Sequence, residues 1–152
     1  MKKRLIILFL GLLLFVGCSN NALTKEKFID IAAFNGYILE NSLEGYEKYD
    51  YIQDVYYAIN RDNAYFIQFI ELKSDEYAKK FYDINMNEIK KEENDDSYVK
   101  SRNTSVYSLY HMENETNYML VYRYRENILY FSAPLNYITE IEEFLDELDI
   151  DY

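Results

Sequence analysis

A surplus of eleven negative charges on 152 residues repels phosphate backbones and anionic headgroups, which sets nucleic acid aside as a partner. Eighteen tyrosines and nine phenylalanines supply the apolar area that disordered chains lack, so the chain is expected to fold despite its charge. A single histidine and a single cysteine exclude multi-histidine metal centres and any disulfide within one chain.

The chain begins with Lys2, Lys3 and Arg4, continues as an unbroken apolar run from Leu5 to Val16, and reaches Gly17 directly before Cys18. Polar Ser19, Asn20 and Asn21 end the run, well short of the roughly 20 apolar residues that a membrane-spanning helix needs. This order is that of an export signal. Phe15-Val16-Gly17-Cys18 resembles the lipobox of bacterial lipoproteins, with Phe15 where that family usually carries Leu. The resemblance implies that the Cys18 thiol takes a diacylglycerol and that the signal is cut off in front of it. Residues 1–17 are then signal peptide, 18–22 the lipidated cysteine and a short tether, and 23–152 a single domain. Cleavage leaves 135 residues, with 13 Lys and Arg against 27 Asp and Glu and a formal net charge of −14. Two acyl chains anchor durably, so the expected location is the cell membrane, on its extracytoplasmic face.

Leu23-Thr24-Lys25-Glu26-Lys27-Phe28 reads as a helix start, with Thr24 as cap and Leu23 stapled against Phe28. Apolar residues recur at helical spacing to Gly36, a left-handed stop. A short strand is expected near Tyr37 to Leu39. Tyr51 to Ile59 and Ala64 to Leu72 are rich in Tyr, Ile, Val and Phe and flank the polar turn Asn60-Arg61-Asp62-Asn63, which predicts a β-hairpin. Both faces of its second strand are apolar, so that strand belongs inside a sheet.

Ser74 caps the next helix, whose inner stripe is read as Tyr77, Ala78, Phe81, Ile84, Asn85 and Ile89. Glu92 to Ser97 is a charged loop. Ser105 to Met112, Tyr118 to Arg125 and Ile128 to Ala133 predict a three-stranded meander. After Pro134, with Asn136 as cap, Ile138, Ile141, Phe144, Leu145 and Leu148 predict a closing amphipathic helix. The order α-β-β-α-β-β-β-α is an α+β domain with an antiparallel sheet of about five strands and three helices. Together with Leu-Thr-x-x-x-Phe a few residues after the cysteine, it resembles small uncharacterised lipoproteins of low-GC Gram-positive bacteria.

Chemistry-bearing residues are few. His111 serves a Ser-His-acid triad poorly without a nucleophile-elbow glycine pattern, and reads as a surface or half-buried strand histidine. Glu71, on an otherwise apolar strand, is the best single carboxylate. Arg123 and Arg125 alternate onto one strand face and are expected to pair with local acids. Eight acids and no Lys or Arg follow from Glu126 onward. They lack the spacing of a calcium loop, read as a solvated helix face, and oppose the helix dipole, so the last turn should fray. No catalytic residue, metal site or cofactor is assigned. The expected function is a lipid-anchored extracytoplasmic module that binds or modulates an envelope protein or peptide without catalysis. The alternative is a small carboxylate-dependent hydrolase of envelope glycan.

Overall fold

The computed structural model describes residues 22–152. The signal, the lipobox and Cys18 lie outside the described residues. Among the described residues the fold is α+β: three α-helices pack on one antiparallel sheet, which has seven strands rather than about five.

Helix α1 (Lys25–Phe34) starts where Thr24, in extended conformation, accepts a hydrogen bond from the Lys27 amide. Gly36 ends it at φ +77°, where a Cβ would also stand 2.0 Å from an Arg61 guanidinium nitrogen. Strand β1 (Ile38–Asn41) runs into a 3-10 turn at Leu43–Tyr46, then β2 (Ile52–Ile59) and β3 (Phe66–Leu72) form the expected hairpin. In its turn, Asn60 is buried and its Oδ1 accepts from the Ala64 and Tyr65 amides, a polar side chain replacing backbone partners.

Helix α2 (Asp75–Lys90), capped by Ser74, crosses to the far edge of the sheet. From there β4 (Tyr98–Asn103), β5 (Tyr107–Glu113), β6 (Asn117–Tyr124) and β7 (Asn127–Pro134) return as a four-stranded meander. Its last strand pairs with β3, so the strand order is β1-β2-β3-β7-β6-β5-β4. Helix α3 (Ile138–Glu147) follows a 3-10 turn at Leu135–Tyr137. Its N-cap is Tyr137, without a side-chain cap, so Asn136 does not cap it.

The helices cover both faces. On one, Phe28 of α1 and Ile141, Phe144 and Leu145 of α3 pack on Ile67, Phe69, Leu120, Leu129 and Phe131. On the other, Ala78, Tyr82 and Ile89 of α2 pack on Ile70, Met112, Val121 and Ile128. Alternation along each strand sends successive side chains into the two cores.

Two elements depart from the sequence expectation, each for its own reason. Strand β4 is mostly exposed and carries Lys100, Ser101, Arg102 and Asn103; an edge strand needs backbone partners more than apolar side chains, and charge on it blocks further pairing. The inner stripe of α2 runs through Tyr82, while Tyr77 and Ile84 are exposed. The helix is turned so that Asp75 reaches Arg123.

The C-terminal turn is held rather than frayed. Lys27 Nζ donates to the Leu148 carbonyl at 2.9 Å and to Asp149 at 2.6 Å, Ile150 is buried, and Lys100 and Arg102 both bind Asp151. Cations from other elements thus supply the charge that the acidic helix lacks at its negative end.

Phe28 is fully buried, stacked on Phe69 at 5.4 Å and edge-on to Phe144 at 5.9 Å. Phe28→Ala should destabilise the fold by about 3–5 kcal/mol, read as a lower urea midpoint with an unchanged slope.

Candidate functional site

The residues singled out in the sequence are dispersed and mostly engaged. Glu71 stands opposite Asp54 across β2 and β3, with Lys25 Nζ 3.1 Å from Asp54 and 4.0 Å from Glu71. A lysine between two carboxylates offsets one of their two charges and makes a structural clasp between α1 and the sheet. Arg123 is fully buried under the start of α2, 2.5 Å from Asp75 Oδ1 and 3.2 Å from Ser108 Oγ. The expected ion pair exists and orients the helix. Arg125 is not on the strand face: it is a turn residue at φ +51° between β6 and β7. Among the described residues, no group of three or more His, Cys, Asp or Glu is arranged to hold a metal.

His111 is buried in the middle of β5, correcting the surface or half-buried reading. Its ring lies edge-on to Tyr118 at 4.7 Å and near Tyr98 and Tyr152. Neither ring nitrogen has a hydrogen-bond partner among the described residues; Glu113 Oε1 stands 3.4 Å from Nε2 without hydrogen-bond geometry. Burial, with a smaller contribution from Lys100, pushes the imidazole down to about 4. It is therefore neutral near pH 7 and packs as an aromatic ring.

Tyrosines dominate what remains. Tyr37 and Tyr65 share a hydrogen bond of 2.7 Å, and Tyr65 donates to Glu140. Nearby, a polar pocket of about 340 Å³ is lined by Arg61, Asp62 and Glu140 among others, and Arg61 Nε is spent on the Gly36 carbonyl. Opposite charges within its own wall leave this pocket little net preference for a charged ligand.

The α2 side of the sheet differs. One helix lies there, chiefly across β6 and β7, whereas two helices lie on the opposite face. The corner formed by the start of β1, the end of β2 and the start of β3 carries the cross-strand row Ile38–Ile59–Phe66. Ile38 is 58% exposed and Phe66 45%. The next row is Glu40–Tyr57–Gln68–Tyr130. Within it Gln68 donates to both Tyr46 and Tyr57, whose hydroxyls lie 2.7 Å apart. This closed triad fixes the Tyr57 ring, which meets Phe66 edge-on at 5.0 Å.

Rotation of α2 exposes a second apolar stretch. Tyr77, Phe81, Ile84 and Glu88 follow one another at helical spacing along its flank. Ile84 is 61% exposed, and Tyr77 stacks on Tyr51 at 5.2 Å. Three shallow pockets, of about 280, 270 and 230 Å³, open on this same side. Ile38 and Phe66 at the corner, and Ile84 and Tyr77 on the helix flank, thus leave apolar surface open to water on an otherwise acidic domain. Sequence reasoning missed it because Ile38, Ile59 and Phe66 look like ordinary strand residues. Only the strand order reveals that no helix covers them.

The buried His111 generates a pH dependence. The unfolded histidine takes up its proton near pH 6.5 and the folded one only near 4. Stability should therefore fall as pH drops from about 6.5 to about 4, by at most ~3 kcal/mol. Glu113, raised by burial and by Glu142, opposes this decline in the lower part of the window. Urea unfolding across that range should show a steeper loss in the native protein than in His111→Phe, which keeps the aromatic packing.

Comparison with known proteins finds no family model, no curated protein and no solved structure that matches the chain.

Proposed function

We propose that this chain is an extracytoplasmic module, held at the cell membrane by a diacylglycerol on Cys18, that binds or modulates an envelope protein or peptide without catalysing a reaction. The observation that carries the binding reading is the Ile38–Ile59–Phe66 row, exposed at Ile38 and Phe66, on a sheet corner that no α-helix among the described residues covers. Leaving that much apolar surface in water has no benefit to the fold, and a partner that covers it gains the hydrophobic free energy. The anchor reading rests on Lys2 to Cys18 and places this face within reach of membrane-associated partners. No described helix is long and apolar enough to cross a membrane.

The carboxylate-hydrolase alternative is supported by less. Asp54 and Glu71 face each other across β2 and β3, and Lys25 bridges them.

Two measurements test the proposal. Cys18→Ser should abolish incorporation of labelled fatty acid and release the protein from the membrane fraction; continued labelling with signal cleavage would refute the lipid site. A photo-crosslinking residue at position 66 of the full chain should yield a discrete adduct in cell membranes, while one at the exposed Asn87 of α2 should not. Equal yields from the two positions, or none from 66, would refute the binding face.

A further inference from the structure

The binding reading leaves open what the partner presents. Resting on that reading, we propose that the open corner receives one amphipathic helix of a partner protein, apolar along one stripe and flanked by lysine or arginine.

The dimensions favour a helix. From β1 to β3, beside α2, the floor is three strands wide, about 10 Å between the outer strands, and a helix with its side chains is about 10–12 Å across. The opposite face of the same sheet seats two helices side by side, whereas this one seats α2 and the short 3-10 turn Leu43–Tyr46, which packs on β2. The open corner is where a second helix would lie. The floor supplies a narrow apolar stripe, Ile38, Ile59 and Phe66. A stripe of this width matches the a/d-type face of a short helix.

Charge selects among helices. Glu40 stands at the β1 side of the floor, beside Tyr57, Ile59 and Phe66, in a pocket of about 270 Å³ that no basic side chain lines. On the other side Glu88 and Glu92 line the pocket that reaches Tyr130 and Ser132, again with no basic lining. Ser132 follows Phe131, the partner of Ile67, and so stands beside Phe66 on this face. Glu40 accepts only from Ser42, Glu92 has no ion pair among the described residues, and Glu88 is held by Lys91. The apolar floor is thus bounded by acids on both sides. Cations flanking an apolar stripe would meet them, and acids there would be repelled.

The same charges disfavour the other occupants. A second copy would bring its own Glu40, Glu88 and net charge of −14 against the first, and anionic lipid headgroups would meet the same rails. An added strand would pair with β1, which is only four residues long, and would leave the apolar floor uncovered.

The chain contains no tryptophan, so Phe66→Trp introduces a unique fluorophore on the floor and Tyr98→Trp one on the opposite, β4 side. The probe is an idealised 18-residue helix with a leucine stripe flanked by lysines, titrated into each full-chain variant in non-ionic detergent. The indole at 66 should shift and saturate, the one at 98 should not. Adding Glu40→Lys and Glu92→Lys should weaken binding by about tenfold or more and strengthen binding of the leucine–glutamate counterpart. Equal response at both indoles, equal affinity for the two peptides, self-association, or a response to anionic vesicles instead of the peptide would each overturn the proposal. If the position-66 crosslink forms in membranes while the peptide fails, the helix proposal alone is wrong; if both fail, so is the binding face.

Discussion

The pairing of β3 with β7 holds the domain together, because it is the only place where the N-terminal three strands join the C-terminal meander in one sheet. The pairs Ile67–Phe131, Phe69–Leu129 and Ile70–Ile128 put large apolar side chains on both faces at once. Each such chain contributes roughly 1.5–3 kcal/mol when fully buried, and here the same few residues nucleate two cores. The strands lie 56 or more residues apart in sequence by their paired positions, so this contact closes a long loop and is entropically costly to form. Helices α1 and α3 can dock only once it exists, since their common floor spans both halves. Arg123 performs the matching task on the other face, where its bond to Asp75 fixes the rotation of α2.

That rotation links fold to function. Turning α2 to satisfy a buried guanidinium removes Tyr77 and Ile84 from the core and leaves them exposed on the flank of the helix, next to Tyr51. An unpartnered buried charge would cost several kcal/mol, far more than exposing one isoleucine, so the polar contact decides where the apolar residues go. The Tyr46–Tyr57–Gln68 triad then keeps the floor rigid, which reduces the ordering entropy a partner must overcome.

Much of the architecture is legible in the sequence. Thr24, Ser74 and Gly36 act as the stops and starts their chemistry implies, and the two-sided apolar pattern of residues 64–72 correctly places β3 inside the sheet. Strand β1 is foreseen near Tyr37 to Leu39, whereas β4 is obscure because an edge strand draws stability from backbone pairing, and its exposed side chains carry no periodic signal. Tyr82 displaces Tyr77 from the α2 core for a reason that needs three dimensions, the Arg123 contact. His111 looks like a surface residue by composition, yet three tyrosine rings surround it. The open corner is legible least of all, since residues 38, 59 and 66 acquire their meaning from strand order.

We propose that the uncovered Ile38–Ile59–Phe66 corner is the surface on which a partner sits. Side-chain radical footprinting tests it directly, by comparing the purified full chain with the same chain in membranes of its native cell. The account predicts that Ile38, Tyr57 and Phe66 lose reactivity in the membranes while exposed Tyr98, on β4, keeps its own. Equal reactivity of Phe66 in the two preparations would contradict it.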